Sequence, residues 1–187
     1  MNTRERDGGE MRFHGTTIVG LRRNGKAALG SDGQVTVGDM VMKQNARKVH
    51  KLHNGTILVG FAGSAADALS LFERFEGKLK EARGNLERAV TEMARDWRSD
   101  RILRRLDALL GVMDREHSYV ISGSGDVIEP DDGIIAIGAG GPLALAVCRA
   151  LVKHTTLEPE AMVREAVTIA AGINIYTNLN ITVETLP

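Results

Sequence analysis

The sequence predicts an α+β fold in which strands and helices come in blocks. Two observations carry that expectation. Asn-Gly pairs at 24–25 and 54–55 sit between apolar extended stretches, among the strongest short-range signals for a β-hairpin. Helical spacing occurs in two separate pairs of segments, so the order runs strands, two helices, strands, two helices, strand. Such grouping argues for a layered sandwich of sheets and helices over alternating βαβ units.

The elements follow in order. Regular structure begins at Thr16, where TTIVGLRRNGKAALGSDGQ alternates through Thr17, Val19 and Leu21, turns at Asn24-Gly25, and reaches a second turn at Asp32-Gly33. VTVGDMVMK reads as a short extended piece, and KVHKLHNGTILVGFAGS as a second hairpin. Its ILVGFAG run is continuously apolar, as expected of a strand covered on both faces. Ser64 is placed to cap a helix, with Asp67 near the capping-box position. The apolar stripe of that helix is read as Ala65, Ala68, Leu69, Phe72, Phe75 and Leu79. Gly84-Asn85 interrupts it, and Leu86, Ala89, Val90, Met93, Ala94 and Trp97 form the stripe of a second helix. ALLGVMD, HSYVISG, DVIEP and GIIAIGAG return to strands, PLALAVCRALVKH and PEAMVREAVTIAAGINI to helices, and LNITVET closes the chain with a strand.

Composition bounds the function. The 187 residues suit one domain with a real core, and 24 basic against 24 acidic side chains leave no net charge. That balance argues against general nucleic-acid binding, which needs a basic excess or stripe. A single cysteine, Cys148, excludes an intramolecular disulfide and is read as a small core residue. No apolar run approaches the roughly 20 residues that span a bilayer, and the charged start MNTRERDGGE lacks a secretory h-region. The expected setting is cytoplasmic. Met1 to Gly15 has no periodicity and is read as a leader, removed or disordered, ahead of a single domain over 16–187.

Several features have ordinary readings. His14, His50, His53, His117 and His154 show no metal-ligand spacing, and the basic run at 98–105 reads as the solvated end of a helix. IAIGAGGPLALA resembles a dinucleotide-binding turn, but Leu143 stands where the third glycine belongs. A tight turn at a pocket wall is the better reading.

Gly15-Thr16-Thr17 is different in kind. A threonine at a new N-terminus can be a nucleophile whose own α-amine, with a pKa near 8, is the general base. Such a system needs a nearby cation, a carboxylate to orient that cation, and backbone N–H donors for the oxyanion. A β-branched pair opening a strand is the competing reading of Thr16-Thr17 taken alone.

The surrounding blocks decide between them. TTIVGLRRNG, GSDGQVTVGDMVMKQNARKVHKL, LVGFAGSAADALSLFERFEGKL, EMARDWRSDRILRRLDALLGV, SGSGDVIEPDDGIIAIGAGGP and INIYTN resemble, in order, segments of the HslV family, the peptidase subunits of bacterial ATP-dependent proteases and homologues of proteasome β subunits. The resemblance implies a four-layer αββα sandwich of the N-terminal nucleophile hydrolase type. It puts the nucleophile on Thr16, its carboxylate partner on Asp32, its lysine on Lys48, and an oxyanion-hole N–H on Gly60. The implied activity is threonine-type endopeptidase, with a catalytically weakened or inactive ring subunit as the alternative. The implied partners are copies of the chain in two stacked hexameric rings, a hexameric AAA+ ATPase of the HslU type, and the unfolded proteins it delivers. This chain lacks GxxxxGK[ST], so ATP use falls to the partner. The chemistry itself needs no cofactor; a sodium site built from backbone carbonyls is implied at Ala171, Asn174 and Thr177. The chain departs from the family at Ala139, where serine is usual, and at Ala171 and Asn174, where glycine and cysteine are common.

Overall fold

A computed structural model of the chain describes residues 13–14, 16–99 and 108–187. The described strands are β1 (Phe13–His14), β2 (Thr17–Arg23), β3 (Lys26–Ser31), β4 (Val35–Val37), β5 (Met40–Lys43), β6 (Val49–Leu52), β7 (Ile57–Gly63), β8 (Ala108–Met113), β9 (Ser118–Ser122), β10 (Val127–Ile128), β11 (Ile135–Gly138) and β12 (Thr182–Leu186). The helices are α1 (Ala65–Glu81), α2 (Leu86–Ser99), α3 (Gly141–His154) and α4 (Pro159–Ala171).

Two antiparallel sheets form the centre, one ordered β10-β9-β8-β7-β6 and the other β11-β2-β3-β12. Both predicted hairpins are present: β2 pairs with β3 and β6 with β7, with Asn24, Gly25, Asn54 and Gly55 at positive φ in the turns. Three apolar clusters correspond to three interfaces between layers. Phe75, Leu79, Val90 and Trp97 pack α1 and α2 on one sheet with Leu110 and Ile121. Ile18, Leu29, Val49, Leu58 and Ile137 fill the space between the sheets. Val19, Leu21, Cys148, Met162 and Val167 seat α3 and α4 on the other sheet. The arrangement is the expected αββα sandwich, and β2 shows why: Ile18 faces one interface while Val19 and Leu21 face another, a period of two with both faces apolar.

Local expectations are corrected in four places. Ser64 stands at the N-cap of α1 but makes no side-chain capping hydrogen bond there. The buried stripe of α1 runs through Leu71, while Leu69 is exposed, because the helix presents Ala68, Leu71, Phe75 and Leu79 to the sheet. VTVGDMVMK is two strands, not one: β4 and β5 pair antiparallel about Gly38, whose φ of +57° makes the turn. The last helix ends at Ala171, so INI lies beyond it. The leader 1–15 lies outside the described residues except for Phe13–His14, which pairs with β4. The basic run 98–105 also lies outside them, apart from the backbone of its first two residues at the end of α2. No described helix is long and apolar enough to cross a membrane.

Candidate active site

Four segments meet at the start of β2. Thr16 is buried just before the strand, and Thr17 inside it is fully buried. Asp32 follows β3, whose register sets Ser31 opposite Ile18 and so returns the chain to the beginning of β2. Lys48 precedes β6, and Gly60 lies in β7 opposite Val49. The four sequence-predicted residues thus come from four different places in the chain.

Asp32 is the hub. Its Oδ1 accepts from Thr17 N–H at 2.8 Å and from Lys48 Nζ at 2.9 Å. Its Oδ2 accepts from Gln34 N–H at 2.8 Å and, more weakly, from Asn178 N–H at 3.4 Å. Four donors satisfy a carboxylate that is wholly buried, as the burial of its oxygens requires. Lys48 Nζ also donates to the Gln34 carbonyl at 2.5 Å. Burial pushes the Lys48 ammonium below its usual lysine value, and the Asp32 carboxylate opposes that fall. Gly60 joins through packing: a Cβ there would sit 3.1 Å from Ile18 and 3.2 Å from Val49, tighter than ordinary contact. The amide of the next residue, Phe61, donates to the Lys48 carbonyl at 3.3 Å and ties β7 to the lysine's backbone.

The turn Gly138–Gly141 closes the other side. Gly138 has φ +86°, and a Cβ on it would lie 2.0 Å from the Thr16 carbonyl oxygen. One on Gly140 would lie 2.1 Å from Thr17 Oγ1. These glycines are spent on close approach to β2, which supports the pocket-wall reading of the motif. Ala139 between them is exposed.

Ala171, Asn174 and Thr177 fall on the segment from the end of α4 toward β12. The Asn174 carbonyl accepts from Thr177 N–H at 3.1 Å, so those two residues form one turn next to the C-terminus of α4. Among the described residues, no three His, Cys, Asp or Glu side chains gather into a metal-binding group. Carbonyl oxygens at the negative end of a helix fit a weakly held monovalent cation.

Sequence reasoning missed Thr17, Gln34, the Thr177 hydroxyl and Asn178. The Gln34 contact had a signal, because Asp-Gly-x is a turn in which the aspartate accepts from the N–H two residues on. Nothing local marks Asn178, which reaches Asp32 across 146 residues. Two clefts, one beside Thr56 and Arg115 and one between α2 and Tyr119, lie among other residues and hold none of this cluster.

Two face-to-face sheets between helical pairs, with a buried Lys-Asp pair where a Thr-Thr strand begins, define the αββα sandwich of the N-terminal nucleophile hydrolase class. Residues 12–186 match the family described as Proteasome subunit. The chain is 58% identical over 172 residues to the ATP-dependent protease subunit HslV of Caldicellulosiruptor saccharolyticus, covering 91% of this chain and 98% of that one. It superposes on the crystal structure of eukaryotic HslV from Trypanosoma brucei with a TM-score of 0.84 at 42% identity, over 91% of this chain and 98% of that one. Thiobacillus denitrificans BPH, solved alone and with epoxomicin, shares the fold with a TM-score of 0.71 at 20% identity, over 91% of this chain and 97% of that one. The chain belongs to the proteasome family, as an HslV-type peptidase subunit of an ATP-dependent protease.

Proposed function

We propose that this chain hydrolyses peptide bonds with Thr16 as an N-terminal nucleophile, once residues 1–15 have been removed. The observation that carries the reading is the buried Lys48–Asp32 pair, whose carboxylate also accepts the Thr17 amide at 2.8 Å. One carboxylate thereby orients both the cation and the backbone that bears Thr16.

The chemistry follows from those positions. Thr16 Oγ1 attacks the scissile carbonyl, and its proton passes to the free α-amine of Thr16. The positive potential of Lys48 favours the ionised hydroxyl, and backbone N–H groups, Gly60 among them, receive the developing oxyanion. The C–N bond then breaks, the α-amine returns its proton to the departing amine, and an ester on Thr16 remains. Water, deprotonated by the same amine, hydrolyses that ester and regenerates the hydroxyl. β4 carries Phe13–His14 as an antiparallel neighbour, with Phe13 opposite Val37 and His14 opposite Thr36. That pairing supports an edge able to hold an extended peptide.

The chain works as copies of itself in two stacked hexameric rings, in the cytoplasm, with an AAA+ ATPase hexamer that unfolds and delivers substrates. The carbonyls of Ala171, Asn174 and Thr177 would hold a sodium ion, whose fixed charge would stiffen their loop.

Intact-mass measurement of the mature protein, with fluorogenic-peptide hydrolysis in the presence of the ATPase, tests this reading. The expected results are a chain starting at Thr16 and loss of hydrolysis in Thr16→Ala with assembly preserved. An active preparation that retains the leader overturns the mechanism, because an acylated Thr16 nitrogen cannot act as a base.

A further inference from the structure

The Thr17 and Thr177 hydroxyls lie 2.6 Å apart, both buried, joining residues 160 positions apart in the chain. We propose that Thr177 is a positioning residue for Thr16, its side-chain hydroxyl locking Thr17 and, through the single peptide bond between them, the nucleophile. The inference rests on the Thr16 mechanism above and concerns the Thr177 hydroxyl, not its carbonyl.

Once the leader is gone, Thr16 is tethered to the protein covalently only through Thr17. The orientation of Thr17 therefore sets the direction of both the Thr16 hydroxyl and its amine. Thr17 is held through its backbone, whose carbonyl accepts from Asp32 N–H at 3.2 Å, and through its side chain. Its amide donates to Asp32 Oδ1 at 2.8 Å, its backbone pairs with Gly138, and its side chain meets Thr177. The backbone contacts fix the strand, and the side-chain contact fixes the rotamer beside Gly140, where a Cβ would lie 2.1 Å from Thr17 Oγ1 and 2.8 Å from Thr177 Oγ1. Without the Thr177 hydroxyl, that of Thr17 is left buried and unpaired, and the strand start must shift to satisfy it.

Thr177 can serve as an anchor because its own loop is pinned on both sides. Gln34 Nε2 donates to the Ile175 carbonyl at 2.9 Å. Asn178 Nδ2 and Asn180 Nδ2 both donate to the Gln44 carbonyl at 2.8 Å, and Gly33 N–H donates to Asn178 Oδ1 at 3.1 Å. The same loop sends the Asn178 amide to Asp32. The segment after α4 thus reaches the catalytic carboxylate and the nucleophile's neighbour together.

The test is steady-state hydrolysis of a fluorogenic peptide by the assembled complex carrying Thr177→Val, Thr177→Ser, Thr17→Val or both valines. Thr177→Val is nearly isosteric, and it should lower kcat about tenfold with KM unchanged, the loss of one buried hydrogen bond expressed in the transition state. Thr177→Ser should restore most of the rate. Thr17→Val should match Thr177→Val, and the double variant should lose no more than either alone. An unchanged kcat in Thr177→Val, a loss that serine fails to rescue, a change confined to KM, or additive losses each overturn the inference. Thr16→Ala separates the two readings. If it is inactive while Thr177→Val equals wild type, only this inference fails; if it stays active, the nucleophile assignment fails as well.

Discussion

Lys48 Nζ stands 2.9 Å from Asp32 Oδ1 with both side chains removed from solvent, 5% and 0% exposed. A buried pair of this kind is strongly destabilised when one partner is deleted, because the other charge is left uncompensated. Asp32→Asn should therefore cost about 3 kcal/mol of stability and abolish peptide hydrolysis. Adding Lys48→Met should recover much of the stability and none of the activity. Urea unfolding and peptide turnover on the two variants check this; restored turnover in the double variant would remove the lysine from the mechanism.

Gly138 and Gly25 make a matched pair. Both have positive φ, but a Cβ at Gly138 meets the Thr16 carbonyl at 2.0 Å, while one at Gly25 meets nothing within 4 Å. Gly25→Ala should cost about 1 kcal/mol of left-handed strain and leave hydrolysis intact. Gly138→Ala should lower Tm further and eliminate activity, since Thr16, just before β2, must move. Thermal melts beside turnover assays distinguish the two.

Ala139 is exposed between two glycines that touch Thr16 and Thr17. The resemblance to the HslV family implies serine there, and under the proposed mechanism a hydroxyl at that position would add a donor on the turn that borders Thr16. Ala139→Ser should raise kcat by about fivefold, the value of one modest hydrogen bond, with KM unchanged. A fall in kcat would show that the turn in this chain is tuned around the smaller side chain.

Burial pushes the Cys148 thiol up to about 12 from its usual 9.0, with Asp132 adding to the effect. Between those values the unfolded thiol has lost its proton and the folded one has kept it. The unfolded state then binds fewer protons, so stability falls as pH rises. Lys48 acts in the opposite sense, because its folded value lies below the unfolded one. Comparing wild type with Cys148→Ala cancels that contribution. The stability advantage of wild type should shrink by about 3 kcal/mol between about pH 8 and about pH 11, measured by urea unfolding at each pH.

Much of the fold is legible in the sequence because it depends on short-range physics. Asn24-Gly25 and Asn54-Gly55 dictate turns by tolerating positive φ, and the stripe Leu86, Ala89, Val90, Met93 and Trp97 buries as its spacing requires. Leu69 is exposed although its spacing fits the stripe, because two adjacent stripes of α1 are both apolar and only the sheet beneath selects one. The hairpin of β4 and β5 reads as a single extended piece in the sequence because Gly38-Asp39 is a weaker turn signal than Asn-Gly, and β5 is exposed throughout.

Residue types at the site were legible for a different reason. Thr16, Asp32 and Lys48 are the kinds of group that N-terminal nucleophile chemistry demands, and the surrounding blocks resemble a family for which that chemistry is implied. What the sequence alone determines is therefore the order of elements, the faces they bury, and the chemical inventory of the site. Only the tertiary structure decides which groups meet. Asp32 reaches Thr17 over 15 residues through the β2–β3 register, Asn178 over 146, and Thr177 finds Thr17 over 160. Contacts at such separations depend on how the sheets and helices stack, and no local propensity carries that information.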